Sequence, residues 1–411
     1  MKKIFFLLFV ALSFSAFTQT DSGDLEVYLN TKLSNIPGDT GNNYKVPTSG
    51  ELTTWGTVIT AILADDLATA RTQAATINYQ IVEYTNTSLS LNRIFYVLEE
   101  KNTQTNYWGT YVFSKTPDRN NLILQSPHSS HDFNTGKQAI YAFNRLNTIA
   151  LFLNGTQRCN NSTASTCAGT TTVCSGVSEA FKVSDMAHNT NNMFQKTTEV
   201  LFNSIANSVF VQLHGFSKKS TDPYVIMTNG TDITPTTVDY VTMIKNELFT
   251  IDNSLTFKLG HIDTDWDRLR GFTNTQGRFI NGSANPCNTS ASETSGRFIH
   301  IEQEKSKLRQ DASGWEKMNA ALGNVFAKTL AVDEFSKKVI LKTTNPFTNS
   351  ISFSAKNITK VELFNVLGKS VYSNNTTDEN IQINTKKMSS GIYFLKVHIG
   401  NATYTKKMIR E

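Results

Sequence analysis

Two segments of this sequence carry the residue types that bind divalent metal ions. Leu122–Asp132 (LILQSPHSSHD) is an apolar run stopped by a proline and followed by two histidines and an aspartate. Ser208–Phe216 (SVFVQLHGF) is a second apolar run with a histidine near its end. If both runs are neighbouring strands of an open α/β sheet, their ends meet at one rim. His128, Asp132 and His214 are therefore candidate ligands of one Zn²⁺ ion.

The sequence leaves alternatives for the ligand set. His131 lies in the same loop as Asp132, so either residue could complete the metal shell. His188 is a further alternative ligand and follows Asp185 in the polar stretch SDMAHNTNN. Asp185 could orient a ligand histidine or bind substrate. The competing interpretation of this stretch is a helix N-terminus, where Asn and Thr are favoured caps.

A late predicted strand carries a candidate general base. In Arg297–Glu302 (RFIHIE) the side chains alternate, so His300 and Glu302 share one face. Glu302, at the end of the strand, could take a proton from a metal-activated water near neutral pH. Arg309 is a candidate clamp for a substrate carboxylate. Either residue could instead form a surface ion pair with a nearby lysine.

Other catalytic arrangements are not supported by the sequence. It contains no HExxH helix, G-x-S-x-G elbow, Walker A loop or CxxC pair. The cysteines are better interpreted as disulfides of an exported chain, with three possible pairings. Three of them lie in Gln157–Gly176, a Thr-, Ser- and Asn-rich segment predicted to be an exposed, cross-linked loop. The four cysteines of the chain are Cys159, Cys167, Cys174 and Cys287.

The N-terminus predicts export. Met1–Gln19 has two lysines, a short apolar run and small residues at its end, which is the pattern of a signal peptide. No later segment offers about 18 uninterrupted apolar residues, so no transmembrane segment is expected in the mature chain. A formal charge of +5 over 411 residues, with no basic stripe interleaved with aromatics, argues against a nucleic-acid partner.

The order of predicted elements indicates an α/β body. Residues 20–49 are expected to be a polar lead-in and residues 50–332 a metallohydrolase domain. A helix at Glu51–Ala75 and three flanking strands precede the strand at Leu122. A helix at Gly136–Leu153 then begins an alternation of strands and helices that ends in a helix at Gly314–Leu330. Such alternation predicts a mostly parallel or mixed sheet with helices on both faces.

The C-terminal segment, residues 337–411, predicts a small antiparallel β-sandwich of short strands separated by turns. The pieces NPFTNSISF, VELFNVLGKSVYS, INTKKMSSGIYFLKV and KKMIRE occur in this order. They resemble the C-terminal sorting domain of the type IX secretion system of Bacteroidetes-type bacteria. The resemblance implies export through the periplasm and outer membrane of a Gram-negative cell, with the secretion machinery as a partner. A carbohydrate-binding sandwich is the alternative.

The order strand–PHxxHD, long insertion, strand–QLHG and late strand ending in Glu resembles the zinc carboxypeptidase and N-formylglutamate amidohydrolase superfamily. The resemblance implies a zinc exopeptidase-like fold, with His128, Asp132 and His214 as Zn²⁺ ligands and Glu302 as general base. One departure is that the carboxypeptidase pair is H-x-x-E, whereas the third residue here is His131 and the acid follows it. The Asn-Arg pair that binds a terminal carboxylate in the carboxypeptidases is not identifiable.

These features predict a secreted or cell-surface zinc-dependent hydrolase. It would cleave an amide bond in a peptide, a cell-wall fragment or an N-acyl amino acid by using metal-activated water. The alternative is a non-catalytic cell-surface binding or adhesion protein whose histidines are structural. A two-metal phosphoesterase would need more carboxylates near His128 and His214 than the sequence provides.

Overall fold

The computed structural model describes residues 19–88, 92–101, 104–328, 343–399 and 402–411. Most of the predicted signal peptide, residues 1–18, lies outside this part of the chain. So does the junction between the predicted body and tail, within residues 329–342. The chain forms two compact units, Met1–Thr329 and Leu330–Glu411.

The helices and strands of the first unit follow each other in this order: β1 (Thr20–Gly23), α1 (Leu25–Ser34), α2 (Ser49–Leu63), α3 (Leu67–Thr76), β2 (Tyr79–Asn86), β3 (Arg93–Glu100), β4 (Thr110–Ser114), β5 (Arg119–Ser126), α4 (Thr135–Leu146), β6 (Thr148–Leu153), β7 (Thr170–Thr171), β8 (Glu179–Ala180), α5 (Met193–Ser204), β9 (Val209–Phe216), β10 (Val225–Thr228), α6 (Tyr240–Ile251), β11 (Phe257–Leu259), α7 (Thr275–Ile280), β12 (Phe298–Glu304), α8 (Lys305–Leu308) and α9 (Ala312–Val325).

Within the described residues, ten of these strands form one mixed sheet in the order β1-β2-β3-β4-β6-β5-β9-β12-β10-β11. Its centre is parallel, because β6, β5, β9 and β12 run in the same direction. The three predicted flanking strands are β2, β3 and β4, and they pair antiparallel. The carboxyl ends of β5, β9 and β12 therefore meet at one rim, where ligands gather in open α/β sheets.

Both faces of the sheet are covered by helices. On one face, Val211 and Leu213 of β9 belong to a core that includes residues of α1, α4, α6 and α9. On the other face, Phe210 belongs to a core with residues of α2, α3, α5 and α7. Alternate side chains of one strand thus enter different cores, which is why the central strands are nearly continuous apolar runs. The predicted fold class, a mixed α/β sheet with helices on both faces, is confirmed.

The predicted polar lead-in is wrong for part of its length. Thr20–Gly23 pairs with β2 in parallel, and the helix Leu25–Ser34 follows it. Asp24 caps this helix by accepting hydrogen bonds from two backbone amides of its first turn. Leu25 and Leu29 are fully buried against the sheet. The helix is short and mostly polar outside these two leucines, so its periodic signal was too weak to predict it.

The helix predicted at Gly136–Leu153 is also partly wrong, because the chain leaves the helix at Leu146 and continues as β6. Asn147 takes a left-handed conformation (φ 48°) and ends the helix, with its amide bonded to the carbonyl of Phe143. The following run TIALFL is a buried central strand. Periodicity alone does not separate such a run from a buried helix.

The helix predicted at Glu51–Ala75 is interrupted between α2 and α3. Asp65 has a left-handed backbone (φ 58°), and Asp66 then caps α3. The helix predicted at Gly314–Leu330 is α9, which ends at Val325. α7 was not predicted.

Two disulfides cross-link the long insertion between β6 and α5. Cys159 pairs with Cys174, and Cys167 pairs with Cys287. The first bond closes a loop of 15 residues, and the second joins positions 120 residues apart. The second bond therefore ties the insertion to the segment that follows α7.

We expect loss of the long-range disulfide to destabilise the protein more than loss of the local one. In the chain-entropy model, the cost of freeing the unfolded chain grows with the logarithm of loop length. Cys167→Ala/Cys287→Ala should therefore lower the free energy of unfolding by about 2 kcal/mol more than Cys159→Ala/Cys174→Ala does. Urea unfolding of both double variants measures this difference. Equal losses would contradict the entropic explanation.

The second unit contains six strands within the described residues: β13 (Ser350–Ser354), β14 (Ile358–Asn365), β15 (Ser370–Asn375), β16 (Asn380–Asn384), β17 (Gly391–Ile399) and β18 (Ala402–Arg410). β15, β14, β17 and β18 form one antiparallel sheet, and β13 and β16 form another. Both sheets contribute to one apolar core, with Ile351 and Ile383 from the small sheet and Leu363 and Leu395 from the large one. This is the predicted antiparallel sandwich. The sequence also predicts a short strand at Val339–Lys342, and this segment lies outside the described residues.

Candidate metal centre and active site

Three neighbouring parallel strands carry the candidate residues to one rim of the sheet. His128 follows Pro127 at the end of β5. His214 lies near the end of β9, and Glu302 is its direct partner on β12. All three side chains are almost completely buried, with 2%, 2% and 8% of their surface exposed, respectively. The polar ends of these strands therefore form one enclosed cluster.

The side chains of His128, Asp132 and His214 converge on one point. The two Nδ1 atoms lie 3.2 Å apart. Asp132 Oδ2 is 3.3 Å from His128 Nδ1 and 3.5 Å from His214 Nδ1. The backbone amide of Gly215 donates a hydrogen bond of 3.1 Å to the same carboxylate oxygen, which fixes its position.

Asp185 determines which nitrogen of His128 is free. Its Oδ1 lies 2.9 Å from His128 Nε2. A carboxylate only accepts hydrogen bonds, so Nε2 carries the proton and Nδ1 has a free electron pair in the neutral ring. Burial and Arg158 lower the pKa of His128, but Asp185 and Asp132 together raise it above its ordinary value.

A chain of buried amides determines the proton position of His214 in the same way. Gln212 Oε1 lies 2.9 Å from His214 Nε2 and accepts a second hydrogen bond from Asn274 Nδ2. The Gln212 amide nitrogen donates to the side-chain oxygens of Gln125 and Gln276, at 2.9 Å each. The orientation of the Gln212 amide is therefore fixed, and His214 Nε2 must donate. Its Nδ1 is left with a free electron pair.

The three converging atoms fit a zinc ion. In a tetrahedral site with zinc bonds of about 2.0–2.1 Å, neighbouring ligand atoms are about 3.3 Å apart. The three separations, 3.2, 3.3 and 3.5 Å, match this value. Burial lowers the pKa of His214 to about 4, so its nitrogen does not need to lose a proton at neutral pH. Two imidazoles and one carboxylate also leave a fourth position for water or substrate.

Glu302 lies on the same rim with a free carboxylate oxygen. Its Oε2 is buried and has no hydrogen-bond partner among the described residues. Burial, reinforced by the charge of Asp132, raises the pKa of Glu302 to about 8. A buried carboxyl with an unused oxygen and a raised pKa beside metal-binding side chains has the properties of a general base or acid.

His300 adds a second possible ligand set to this rim. Its ring centroid lies 4.4 Å from that of His214, and its Nε2 is 3.8 Å from Glu302 Oε1. His214, His300 and Glu302 are close enough to share an ion. However, His214 has only one free electron pair, so the two ligand sets compete for it. We therefore expect a single ion.

Arg158 was not identified from the sequence. Its Nε donates to Asp185 Oδ2 at 2.9 Å, and its Nη1 lies 3.5 Å from His128 Nδ1. The side chain is buried within the disulfide-linked insertion. No local pattern marks this arginine, because its place at the site depends on the path of the cross-linked loop.

The remaining predicted site residues lie near the cluster, but their side chains contact groups other than His128, Asp132 and His214. His131 is exposed, and its Nδ1 is 2.7 Å from Gln157 Nε2. His188 stacks on the ring of Phe181 and lies 3.1 Å from Asp185 Oδ1 through its Nδ1. The Arg309 guanidinium donates to the backbone carbonyls of three residues. These contacts hold the guanidinium in the fold, so Arg309 does not act as the predicted clamp for a substrate carboxylate.

Asp185→Asn should weaken zinc binding by about 10- to 100-fold, as is usual for loss of a carboxylate behind a ligand histidine. The amide can still accept a hydrogen bond, but it removes the negative charge that raises the basicity of His128. Competition with a chromophoric zinc chelator measures the affinity. Unchanged affinity in a folded variant would show that Asp185 does not support a metal ligand.

Two cavities open beside the cluster. One has a volume of about 410 Å³ and is lined by His128, His188, His214 and His300, so we call it the histidine chamber. The other has a volume of about 480 Å³ and is lined by Asp132, Lys218, Arg268 and Lys305, so we call it the basic chamber. Both are large enough for part of a substrate.

Comparison with known proteins identifies the C-terminal unit. Residues 345–411 match the family described as the secretion system C-terminal sorting domain, which confirms the resemblance found in the sequence. No curated protein matches the chain.

Two solved structures show limited similarity. One is PorZ, a surface component of the type IX secretion system of Porphyromonas gingivalis. It has 12% identity and a TM-score of 0.16, and the match covers 17% of this chain and 11% of PorZ. The chain thus spans only about a tenth of the length of PorZ. The other is an aspartoacylase family protein from Mesorhizobium loti, with 9% identity and a TM-score of 0.30, covering 77% of this chain and 94% of that one.

The sorting domain establishes where the protein acts. A chain that carries this domain is handled by the type IX secretion machinery and is secreted or held at the cell surface, as predicted. In the part of the chain that the structure describes, no helix has both the length and the apolar character needed to cross a membrane.

Proposed function

We propose that the first unit is a secreted zinc-dependent hydrolase that cleaves an amide bond. His128, Asp132 and His214 would hold one Zn²⁺ ion, and Glu302 would be the general base. The observation that carries this proposal is the convergence of three electron-pair donors at 3.2–3.5 Å in a buried site. The order of these residues also agrees with the superfamily that the sequence resembles.

Zinc bound in this position would supply Lewis acidity, which polarises a carbonyl group and makes a nearby water more acidic. Glu302 Oε2 would accept a proton from the attacking water and pass it to the nitrogen of the amide. A carbon–oxygen bond forms as the carbon–nitrogen bond breaks, and the products are a carboxylate and an amine. The burial that raises the pKa of Glu302 helps the side chain both to hold and to release this proton.

Arg158 would stabilise the negative charge that develops on the carbonyl oxygen. Its guanidinium lies within 3.5 Å of a proposed metal ligand and is fixed in place by Asp185. A preorganised cation in a buried site stabilises developing charge more strongly than the same cation in water. Asp185 therefore supports two groups, the imidazole of His128 and this guanidinium.

The amide class can be tested with the full exported chain. After removal of metal and reconstitution with Zn²⁺, about one zinc per chain should be found by elemental analysis. N-acyl amino acids and short blocked peptides are then assayed with and without a chelator. Hydrolysis that a chelator abolishes and zinc restores supports the proposal. A folded protein that binds no metal and hydrolyses none of these compounds would instead support the binding or adhesion alternative.

A further inference from the structure

The two chambers meet at the proposed reaction centre. Glu302 and Arg158 line both of them, and so do the apolar side chains of Val173 and Leu269. A substrate whose carbonyl lies beside Glu302 can therefore extend into both cavities. The chemical character of each chamber then determines which groups are accepted on either side of the reacting bond.

The basic chamber contains two lysines without a carboxylate partner. Among the described residues, no Asp or Glu lies within ion-pair distance of Lys218 or Lys305. Lys218 Nζ donates a hydrogen bond to the backbone carbonyl of Lys219 at 3.2 Å and lies 5.2 Å from the centre of the Tyr224 ring, so its contacts leave its charge unneutralised. The arginines of this chamber have other partners. Arg268 is paired with Asp222, and Arg158 and Arg309 make the contacts described above.

Three acidic residues line this chamber, namely Asp132, Glu302 and Glu304, and Glu302 is the proposed general base. Asp132 belongs to the converging triad. Glu304 caps α8 and accepts hydrogen bonds from the backbone amides of Ser306 and Lys307. Five cationic side chains, those of Arg158, Lys218, Arg268, Lys305 and Arg309, line the same chamber, so its lining carries more positive than negative groups.

Two aromatic rings in the lining of this chamber lie against its cations. Lys305 Nζ lies 4.1 Å from the centre of the Phe133 ring, and that ring is 42% exposed. Arg268 lies 5.7 Å from the centre of the Phe216 ring. This combination suits a group with an apolar stem and an anionic end.

We propose that the basic chamber is a subsite for an anionic group of the substrate, held by Lys218 and Lys305. This inference rests on the proposed function and narrows it. Preferred substrates carry a carboxylate or a comparable anion on one side of the reacting amide, and the chain on the other side occupies the histidine chamber. The hydrolysed amide therefore lies within the substrate, with one group of the substrate in each chamber.

Two pairs of blocked dipeptides test this subsite. Acetyl-Glu-Ala-amide and acetyl-Gln-Ala-amide differ in charge on the acyl side, and acetyl-Ala-Glu-amide and acetyl-Ala-Gln-amide differ on the amine side. In the pair whose Glu side chain lies on the side of the amide that enters the basic chamber, we expect the Glu peptide to be preferred over the Gln peptide by about 5- to 30-fold in kcat/KM at low salt. The preference should come mainly from a lower KM. High salt should reduce this preference, because exposed charges are screened.

Lys218→Ala/Lys305→Ala should remove the preference. The matched control is Lys115→Ala/Lys245→Ala, which loses the same charge at positions that line neither chamber, and it should retain the preference. Equal rates for Glu and Gln peptides in both pairs, or a preference that survives in the Lys218/Lys305 variant, would overturn the subsite.

A binding measurement separates this inference from the proposed function. Calorimetry of the same four peptides with the zinc-treated Glu302→Gln variant reports the subsite without turnover. If no peptide is hydrolysed but the Glu peptides bind more tightly than their Gln partners, the subsite stands and the hydrolase proposal fails. If hydrolysis occurs without any charge preference in rate or binding, the subsite fails and the hydrolase proposal stands.

Discussion

Glu302→Gln should reduce kcat for amide hydrolysis by about 10²- to 10⁴-fold, the usual contribution of a general base. Glutamine has nearly the same shape but cannot accept the proton of the attacking water. The zinc content should be unchanged, because Glu302 is not one of the three proposed ligands. Glu293→Gln, in an exposed loop, is the matched control and should keep full activity.

The same variant should be more stable than the wild type when both are free of metal at high pH. Burial raises the pKa of Glu302 from its ordinary value of 4.5 to about 8. Between these values the folded protein keeps a proton that the unfolded chain releases, so stability falls as the pH rises through this window. Glutamine at position 302 does not titrate, so the variant does not lose stability in this way.

The size of the stability effect has an upper limit. At 1.36 kcal/mol per pH unit, the change from 4.5 to about 8 corresponds to at most about 5 kcal/mol above pH 8, and to nothing near pH 4. Unfolding by urea in a chelator at pH 4 and pH 9 measures it. Undiminished hydrolysis by Glu302→Gln would remove this residue from the mechanism, and an equal stability difference at both pH values would contradict its raised pKa.

His214→Ala should abolish specific zinc binding and, with it, hydrolysis. The substitution removes one of three converging electron-pair donors. The loss of zinc affinity should therefore exceed the loss of about 10- to 100-fold expected for Asp185→Asn, which changes a residue behind a ligand. Because the imidazole is neutral at pH 7, its removal leaves no buried charge in the Gln212 network. The fold should therefore survive, as circular dichroism can verify.

His131→Ala is the matched control for the ligand variant. It removes a histidine from the same rim, but this side chain points towards Gln157 rather than the converging atoms. It should retain one zinc per chain and full activity. Loss of zinc in His131→Ala with retention in Asp132→Asn would exchange the roles assigned to the two residues.

The rim itself could be predicted from the sequence. The apolar runs of β5 and β9 are long enough to be recognised as buried strands, and a histidine lies within two residues of the end of each. Parallel pairing then brings His128 and His214 together, although they are 86 residues apart in the chain. Likewise, the alternation of β12 places His300 and Glu302 on the face that carries His214.

The supporting groups could not be predicted. Nothing in the spacing of PHSSHD says whether Asp132 or His131 turns inward, because loop side chains have no fixed period. Arg158 reaches the site through a loop whose path depends on two disulfides. Gln212 looks like an ordinary polar residue in a strand, and its role becomes visible only with the amides of Asn274 and Gln276 around it.

The most direct test of the proposed metal centre is anomalous diffraction at the zinc edge from crystals of the zinc-reconstituted protein. We predict one strong peak at about 2.0–2.2 Å from His128 Nδ1, His214 Nδ1 and a carboxylate oxygen of Asp132. A well-ordered site without any peak, or with zinc bound only to residues outside this triad, would contradict it.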